Sequence, residues 1–442
     1  MNYKLLLSFF LFIFQYNFMS KIICSLEEWD SIINYYRPNG SSKTWYLNEL
    51  KELHRPLMWG MWNIFSEDGD LFDNGRFKGI ITPNYSKDIE YTPIEKIDNQ
   101  PHIYIINVWN LHFFVENFDI GFKCMSKQYI DDVRNGKSKI VLVYLFEGYS
   151  GSYGNHDLEI LEKWRKDMDF PVNSVYLICG NLISDQIVKE RGLGFQARPT
   201  HSFEPWNRYD EMIPVDFKPI DNRYLFLSYN RNPRPQRLVF LTHLLEYGVF
   251  DKGLVSLNKL REPTPDYLNQ EHLNYLKDNA PFIIDHRYDL NYNLAVNITK
   301  EDYERTFLSM VTESLVDDGT LFFSEKIWKP LMVGHPFLLY GNQYSLKYLK
   351  EKGYKTFDKW FDESYDNEPN RDRRSIMISK ELKRLSELSV EQLHQMRNEM
   401  KEVCQHNQLK YRELYDLKYS EMEINKDISD VLDEIWSDLN KN

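Results

Sequence analysis

Short apolar runs recur along the middle of the chain, separated by polar stretches and turn residues. Ile103–Val108, Lys139–Phe146 and Ser174–Cys179 are rich in β-branched residues, the pattern of buried strands. Asp157–Asp167 has helical character between the last two, and strand, helix, strand in that order implies parallel pairing. The rhythm resumes with a strand over Arg223–Ser228, a helix over Pro235–Tyr247 followed by Gly248, and a strand over Gly253–Leu257. Two further buried strands are expected at Phe307–Val311 and Phe337–Tyr340. Between them Ser324 has the type and place of a helix cap, with Glu325 and Lys326 in the first turn and Gly334 just past the end. Leu346–Gly353 reads as a short helix and Tyr354–Asp366 as a last strand and loop. From Arg371 the tail is helical and charged, with Leu385, Leu388, Leu393 and Met396 spaced for one apolar face.

A chain of 442 residues is too long for one ordinary core. The fold class expected is α/β, with two Rossmann-like domains and a helical tail. Pro199, Pro205, Pro214 and Pro219 fall in a stretch of little periodicity, 196–222, which is the natural boundary. This divides the chain into a first α/β domain over 21–215, a second over 216–365 and the tail over 366–442. Residues 20–100 are aromatic, polar and irregular, and carry no readable function. Leu5–Phe14 is nearly all apolar after Lys4, yet shorter than the ~18 residues that span a bilayer. A signal, an anchor, a start at Met19 and a buried segment all stay open for residues 1–20, and with them the choice between cytoplasm and secretory lumen. Membrane association is expected only through this segment. The sequons at Asn39, Asn84 and Asn297 decide nothing alone.

Charge narrows the partners. With 54 basic and 66 acidic residues the net charge is 54 − 66 = −12, which argues against a general nucleic-acid binder. Aromatic content of 15% suits a protein that handles sugars, and suits equally an AT-rich genome. The four cysteines lie far apart and define neither a metal site nor a disulfide framework.

Ligands of parallel α/β sheets bind where strand carboxyl ends meet helix amino ends, because exposed backbone N–H groups there favour anions. Thr312-Glu313-Ser314 end one strand, and Ser324-Glu325-Lys326 open the helix that follows. A cation in the first turn of a helix opposes the macrodipole, so Lys326 implies an anion there, or else a pairing with Glu325 or Asp317. Arg231, Arg234 and Arg237 crowd another strand-to-helix turn, at a repulsive cost that an anion would offset. Glu313 could hold ribose hydroxyls through charge-assisted bonds, or pair with Arg237. The gathering suits a ligand bearing phosphate and sugar hydroxyls.

The pattern resembles the donor-binding segment of the GDP-sugar-dependent fucosyltransferases and their two-domain relatives. In that family a strand ends in Phe-Glu-Asn-Ser, and Tyr-x-Thr-Glu-Lys opens the next helix. The matching positions here are Thr312-Glu313-Ser314, Phe323-Ser324-Glu325-Lys326 and Pro336–Gly341. Asn is missing, Ser replaces Thr, and the loop is longer. Ser228, Arg237, Phe240 and Leu244 also stand at comparable positions, so the likeness covers roughly 223–365.

The resemblance implies the GT-B arrangement, two Rossmann-like domains facing across a cleft. It also implies a metal-independent, inverting glycosyltransferase without a cofactor. A nucleotide-sugar, GDP-linked and with fucose as the type case, would be the donor, and a glycan or glycoprotein the acceptor. Arg237 and Lys326 would bind the donor diphosphate and Glu325 would contact the sugar-nucleotide. Ser324, Glu313 and Arg231 complete the expected donor site. A general base is needed from the first domain. Glu147, at a strand end before a Gly-rich loop, is one candidate; His156 and Asp157 compete. Asp167-Met-Asp169 has the Asp-x-Asp form used for Mn²⁺ in single-domain glycosyltransferases, but Phe170-Pro171 after it favours helix-end capping. The other function considered is a glycan- or nucleotide-binding protein that keeps the fold without turnover.

Overall fold

The computed structural model describes residues 22–26, 89–107, 127–144, 157–200, 224–260, 267–284, 299–317, 319–420 and 423–441. Two all-parallel sheets organise them. The first has six strands in the order β2-β1-β3-β4-β5-β6, namely Ile89–Pro93, Ile22–Leu26, His102–Asn107, Ser138–Tyr144, Val175–Cys179 and Gln196–Pro199. The second has four in the order β10-β9-β7-β8: Phe337–Tyr340, Thr306–Thr312, Tyr224–Asn230 and Gly253–Leu257. Parallel strands need crossovers, and helices supply them. In the first sheet these include α1 (Lys127–Arg134), α2 (Asp157–Asp167) and α3 (Ser184–Glu190). The second has α4 (Pro235–Glu246), α5 (Gln270–Asn279), α6 (Lys300–Glu304) and α7 (Glu325–Val333), and α8 (Ser345–Glu351) follows its last strand.

Strands covered on both faces should read as unbroken apolar runs. β9 and β10 are buried along their whole length, which is why they were legible. Phe240 of α4 stacks on Tyr340 of β10 with centroids 5.5 Å apart, within a core that also takes Phe307, Trp328 and Phe357. Local chemistry sets the helix ends. Pro235 opens α4, the Ser324 hydroxyl accepts from the Lys326 N–H to open α7, and Gly334 closes it at φ 67°, a left-handed conformation that suits glycine.

Three expectations need correction. The stretch read as irregular contains β1 and β2, short strands of which β2 is an edge strand ending in Pro93, a residue sheets tolerate at edges. Gln196–Pro199, read as the start of the boundary, pairs with β5 as the opposite edge. Tyr354–Asp366 forms no strand. Phe357, Phe361 and Tyr365 are buried at intervals of four, in turns that end in a single 3₁₀ segment, Ser364–Asn367. Phe357 packs edge-on against Phe337 of β10. The boundary residues 201–223 and the amino-terminal 1–20 lie outside the described residues.

The tail comprises α9 (Arg371–Ser386), α10 (Val390–Glu399), α11 (Lys401–Ser420) and α12 (Glu423–Leu439). Its expected apolar face is interrupted, because Ser389 and Gln392 form a capping box that starts a new helix between Leu388 and Leu393. α9 packs on α4 and α11 on α7, whereas α12 packs on β1 and β3 of the first sheet. Among the described residues no helix is long and apolar enough to cross a membrane.

Candidate functional site

The second sheet reverses direction at β7. From it the chain goes outward to β8 on one side, and then returns to β9 on the other. Such a switch point leaves a crevice at the strand carboxyl ends, because the crossovers leave in opposite directions. Two strand-to-helix turns border it: Asn230–Pro235, leading into α4, and Glu313–Ser324, leading into α7.

Ser314 is where they meet. Arg234, the extended residue ahead of α4, donates from Nη1 to the Ser314 carbonyl at 3.4 Å, and Gln236 Nε2 donates to the same oxygen. From the other turn Lys326 Nζ reaches Ser314 Oγ at 3.4 Å, Ser324 Oγ at 3.2 Å and Glu325 Oε1 at 2.6 Å. The Lys326 side chain keeps 17% of its surface exposed, so it stands at the rim rather than in the core. Burial pushes the Glu325 carboxyl up, but the Lys326 ammonium and, further off, Lys329 outweigh that and hold it at about 2.

Beneath this rim Glu313 is fully buried. Its Oε2 accepts from Ser314 N at 3.3 Å, Ser324 N at 3.1 Å and the Ser324 hydroxyl. Its Oε1 is buried and has no hydrogen-bond partner among the described residues. Burial raises the Glu313 carboxyl above its ordinary value in spite of the nearby Lys326. Asn230, at the end of β7, is likewise fully buried and donates to Ser228 Oγ at 2.7 Å, while its Oδ1 has no hydrogen-bond partner among the described residues. Buried acceptors are nearly always satisfied, so a pair left open at one switch point is informative.

Of the expected donor residues, Glu313, Ser324, Glu325 and Lys326 form one cluster. The guanidinium placed against it through Ser314 is that of Arg234. Arg237 is 3% exposed and donates from Nη1 to the Asn232 carbonyl at 3.0 Å, within its own turn. Arg231 is half-buried, and its carbonyl accepts from Asn258 N at 2.9 Å. Glu147 and His156, the expected bases, lie outside the described residues. Asp167 pairs with Lys163 one turn back, and Asp169 sits at φ 57° past the end of α2, as helix-end roles require. Among the described residues no three His, Cys, Asp or Glu side chains are grouped so as to hold a metal ion.

Sequence reasoning passed over Gln236, Lys329 and Tyr229. Lys329 lies one turn after Glu325 on the buried side of α7, with Nζ 5.5 Å from the centre of the Tyr229 ring. Tyr229 in turn donates to Asp302 Oδ2 at 2.9 Å. The four-residue spacing of Glu325 and Lys329 was a usable signal. The Tyr229 contact, made across the sheet, was not.

No protein-family model matches the chain, and no curated protein matches its sequence. Among solved structures the chain is similar to the DNA-modifying enzyme β-glucosyltransferase, whose substrate is uridine diphosphoglucose. Identity is 12%, the match covers 89% of this chain and 99% of that one, and the TM-score is 0.31.

Proposed function

We propose that this protein is a glycosyltransferase that takes its sugar from a nucleotide-sugar bound at the β7/β9 switch point. The observation that carries the reading is the convergence on Ser314: Arg234 and Gln236 from one helix start, Lys326 from another, with a buried carboxylate oxygen left open below. Cationic and N–H donors at two helix starts suit a diphosphate. The Glu313 Oε1 suits a hydroxyl of ribose or of the sugar. In the reaction a negative charge develops on the departing nucleoside diphosphate. Lys326 and the α7 amino end would stabilise it electrostatically, without a metal. The finer reading is a GDP-linked donor such as GDP-fucose, a glycan or glycoprotein acceptor, and inversion with a base such as Glu147 or His156.

A thermal-shift screen with GDP, UDP and CDP tests the donor site, because a ligand present at 100 times its Kd adds about 2.7 kcal/mol of stability by mass action. One nucleoside diphosphate should raise the Tm of the wild type and not that of Lys326→Ala. The nucleotide-sugar built on it should be hydrolysed slowly in the absence of acceptor. A Lys326→Ala protein that binds and turns over like the wild type would overturn the proposal. Binding without any hydrolysis or transfer would favour the non-catalytic reading instead.

A further inference from the structure

The segment that presents Ser324 and Lys326 is gripped from two sides. On its own side Asn342, after β10, accepts from Phe322 N at 3.0 Å and donates to the Asp317 carbonyl at 2.9 Å and to Thr320 Oγ at 2.7 Å. Arg374 of α9 donates to the Val316 carbonyl, and Glu313 holds Ser324. The other grip comes from the first sheet. Asn181, two residues past the end of β5 and fully buried, accepts from Leu321 N at 3.0 Å and donates to the Gly319 carbonyl at 3.2 Å. Its Oδ1 also accepts from Ile183 N at 3.2 Å, which fixes its own turn, and Leu182 N donates to the Leu321 carbonyl at 2.8 Å.

Three hydrogen bonds therefore cross from the first sheet to a stretch of three residues. From Leu321 only the buried Phe322 and Phe323 intervene before Ser324. Packed side chains transmit a displacement rather than absorb it. The chemistry demands an amide: the side chain must accept from one peptide N–H and donate to another peptide's carbonyl. Aspartate can do only the first, and alanine leaves both groups buried and unmade.

We propose that Asn181 is a positioning residue, through which the placement of the first sheet sets the conformation of 319–326 and so the affinity of the Ser314–Lys326 site. The affinity part rests on the nucleotide reading above; the conformational part stands alone. It needs no contact between Asn181 and the ligand. Because coupling is reciprocal, a ligand on the second sheet must also steady the turn on the first.

Hydrogen–deuterium exchange and calorimetry test this with GDP, or with UDP or CDP in its place where the thermal-shift screen selects that one. In Asn181→Asp, exchange over 319–326 should quicken, and GDP should bind about tenfold more weakly, while far-UV circular dichroism is kept. In the wild type, GDP should slow exchange at 179–183 as well as at its own site, a measurement that needs no variant to fold. A variant with a lowered Tm but unchanged exchange over 319–326 and unchanged GDP affinity would show a merely structural role and overturn the proposal. So would GDP binding that leaves 179–183 untouched. A wild type that binds none of GDP, UDP and CDP would sink the nucleotide reading and the affinity part with it, while exchange in Asn181→Asp would still decide the conformational part.

Discussion

Glu162 in the first α/β unit and Glu313 in the second are both buried glutamates, and they are satisfied in opposite ways. Glu162 accepts from Arg165 Nε at 2.9 Å and Gly194 N at 2.9 Å on one oxygen, and from Arg165 Nη2 at 2.8 Å on the other. Burial pushes its carboxyl up, but these bonds and Lys166 outweigh it and the group sits below its ordinary range. Glu313 collects Ser314 N, Ser324 N and the Ser324 hydroxyl on one oxygen and leaves the other open among the described residues, and burial raises its carboxyl. A closed carboxylate fastens α2 to the turn at Gly194. An open one, at a switch point, carries an unmet hydrogen bond that a ligand hydroxyl can make.

Four substitutions press on this contrast. Glu162→Ala strips a buried guanidinium of its partner, and such losses cost about 3–5 kcal/mol; urea unfolding should show it, with the proposed nucleoside-diphosphate affinity unchanged. Gly194→Ala attacks the same pair from outside. An added Cβ would stand 2.5 Å from Arg165 Nη2, which Glu162 holds in place, so a loss of roughly 1–3 kcal/mol is expected in the same assay. Glu325→Gln acts at the rim. Glu325 has a folded pKa of about 2 against an ordinary 4.5, so its contribution is full above pH 4.5 and is lost as pH falls towards 2. Discounted for partial exposure, about 1 kcal/mol should vanish at pH 7, and the variant should lose the acid-side slope in that window.

Glu313→Gln should change stability least, by less than about 1 kcal/mol at neutral pH. With a folded pKa above 4.5, wild-type stability declines as pH rises from 4.5 through the raised value, and the variant should abolish that decline. On the nucleotide-sugar reading proposed above, the same substitution should weaken nucleoside-diphosphate binding. A Glu313→Gln protein as damaged as Glu162→Ala, with nucleotide affinity intact, would make the two carboxylates equivalent and remove the argument for an open site.

The sequence made the scaffold legible where burial or local chemistry acts over a few residues. β9 and β10 are buried throughout, and Pro235, Ser324 and Gly334 act on their immediate neighbours. The arginines show where such reading stops. Arg237 shares a helical face with Phe240, Leu241 and Leu244, all buried, so the helical period itself turns it inward. Arg234 precedes the helix and faces Ser314, a contact across 80 residues that no spacing foretells. Tyr354–Asp366 reads as a strand and loop, whereas Phe357, Phe361 and Tyr365 are buried at an interval of four in the turns that carry them. Asn181 was visible only as a residue after a strand, since its partners lie 138 and 140 positions away.

α12 closes the molecule on itself. Glu434 pairs with Arg198 of β6 at 2.6 Å, Asp438 with Lys139 of β4 at 3.5 Å, and Val431, Leu432, Ile435 and Leu439 are buried. Synthesis proceeds from the amino end, and domains begin to fold while the ribosome is still adding residues. The apolar ground that α12 occupies therefore stays wet until more than two hundred later residues have emerged, and the half of the protein made first is the last to be finished.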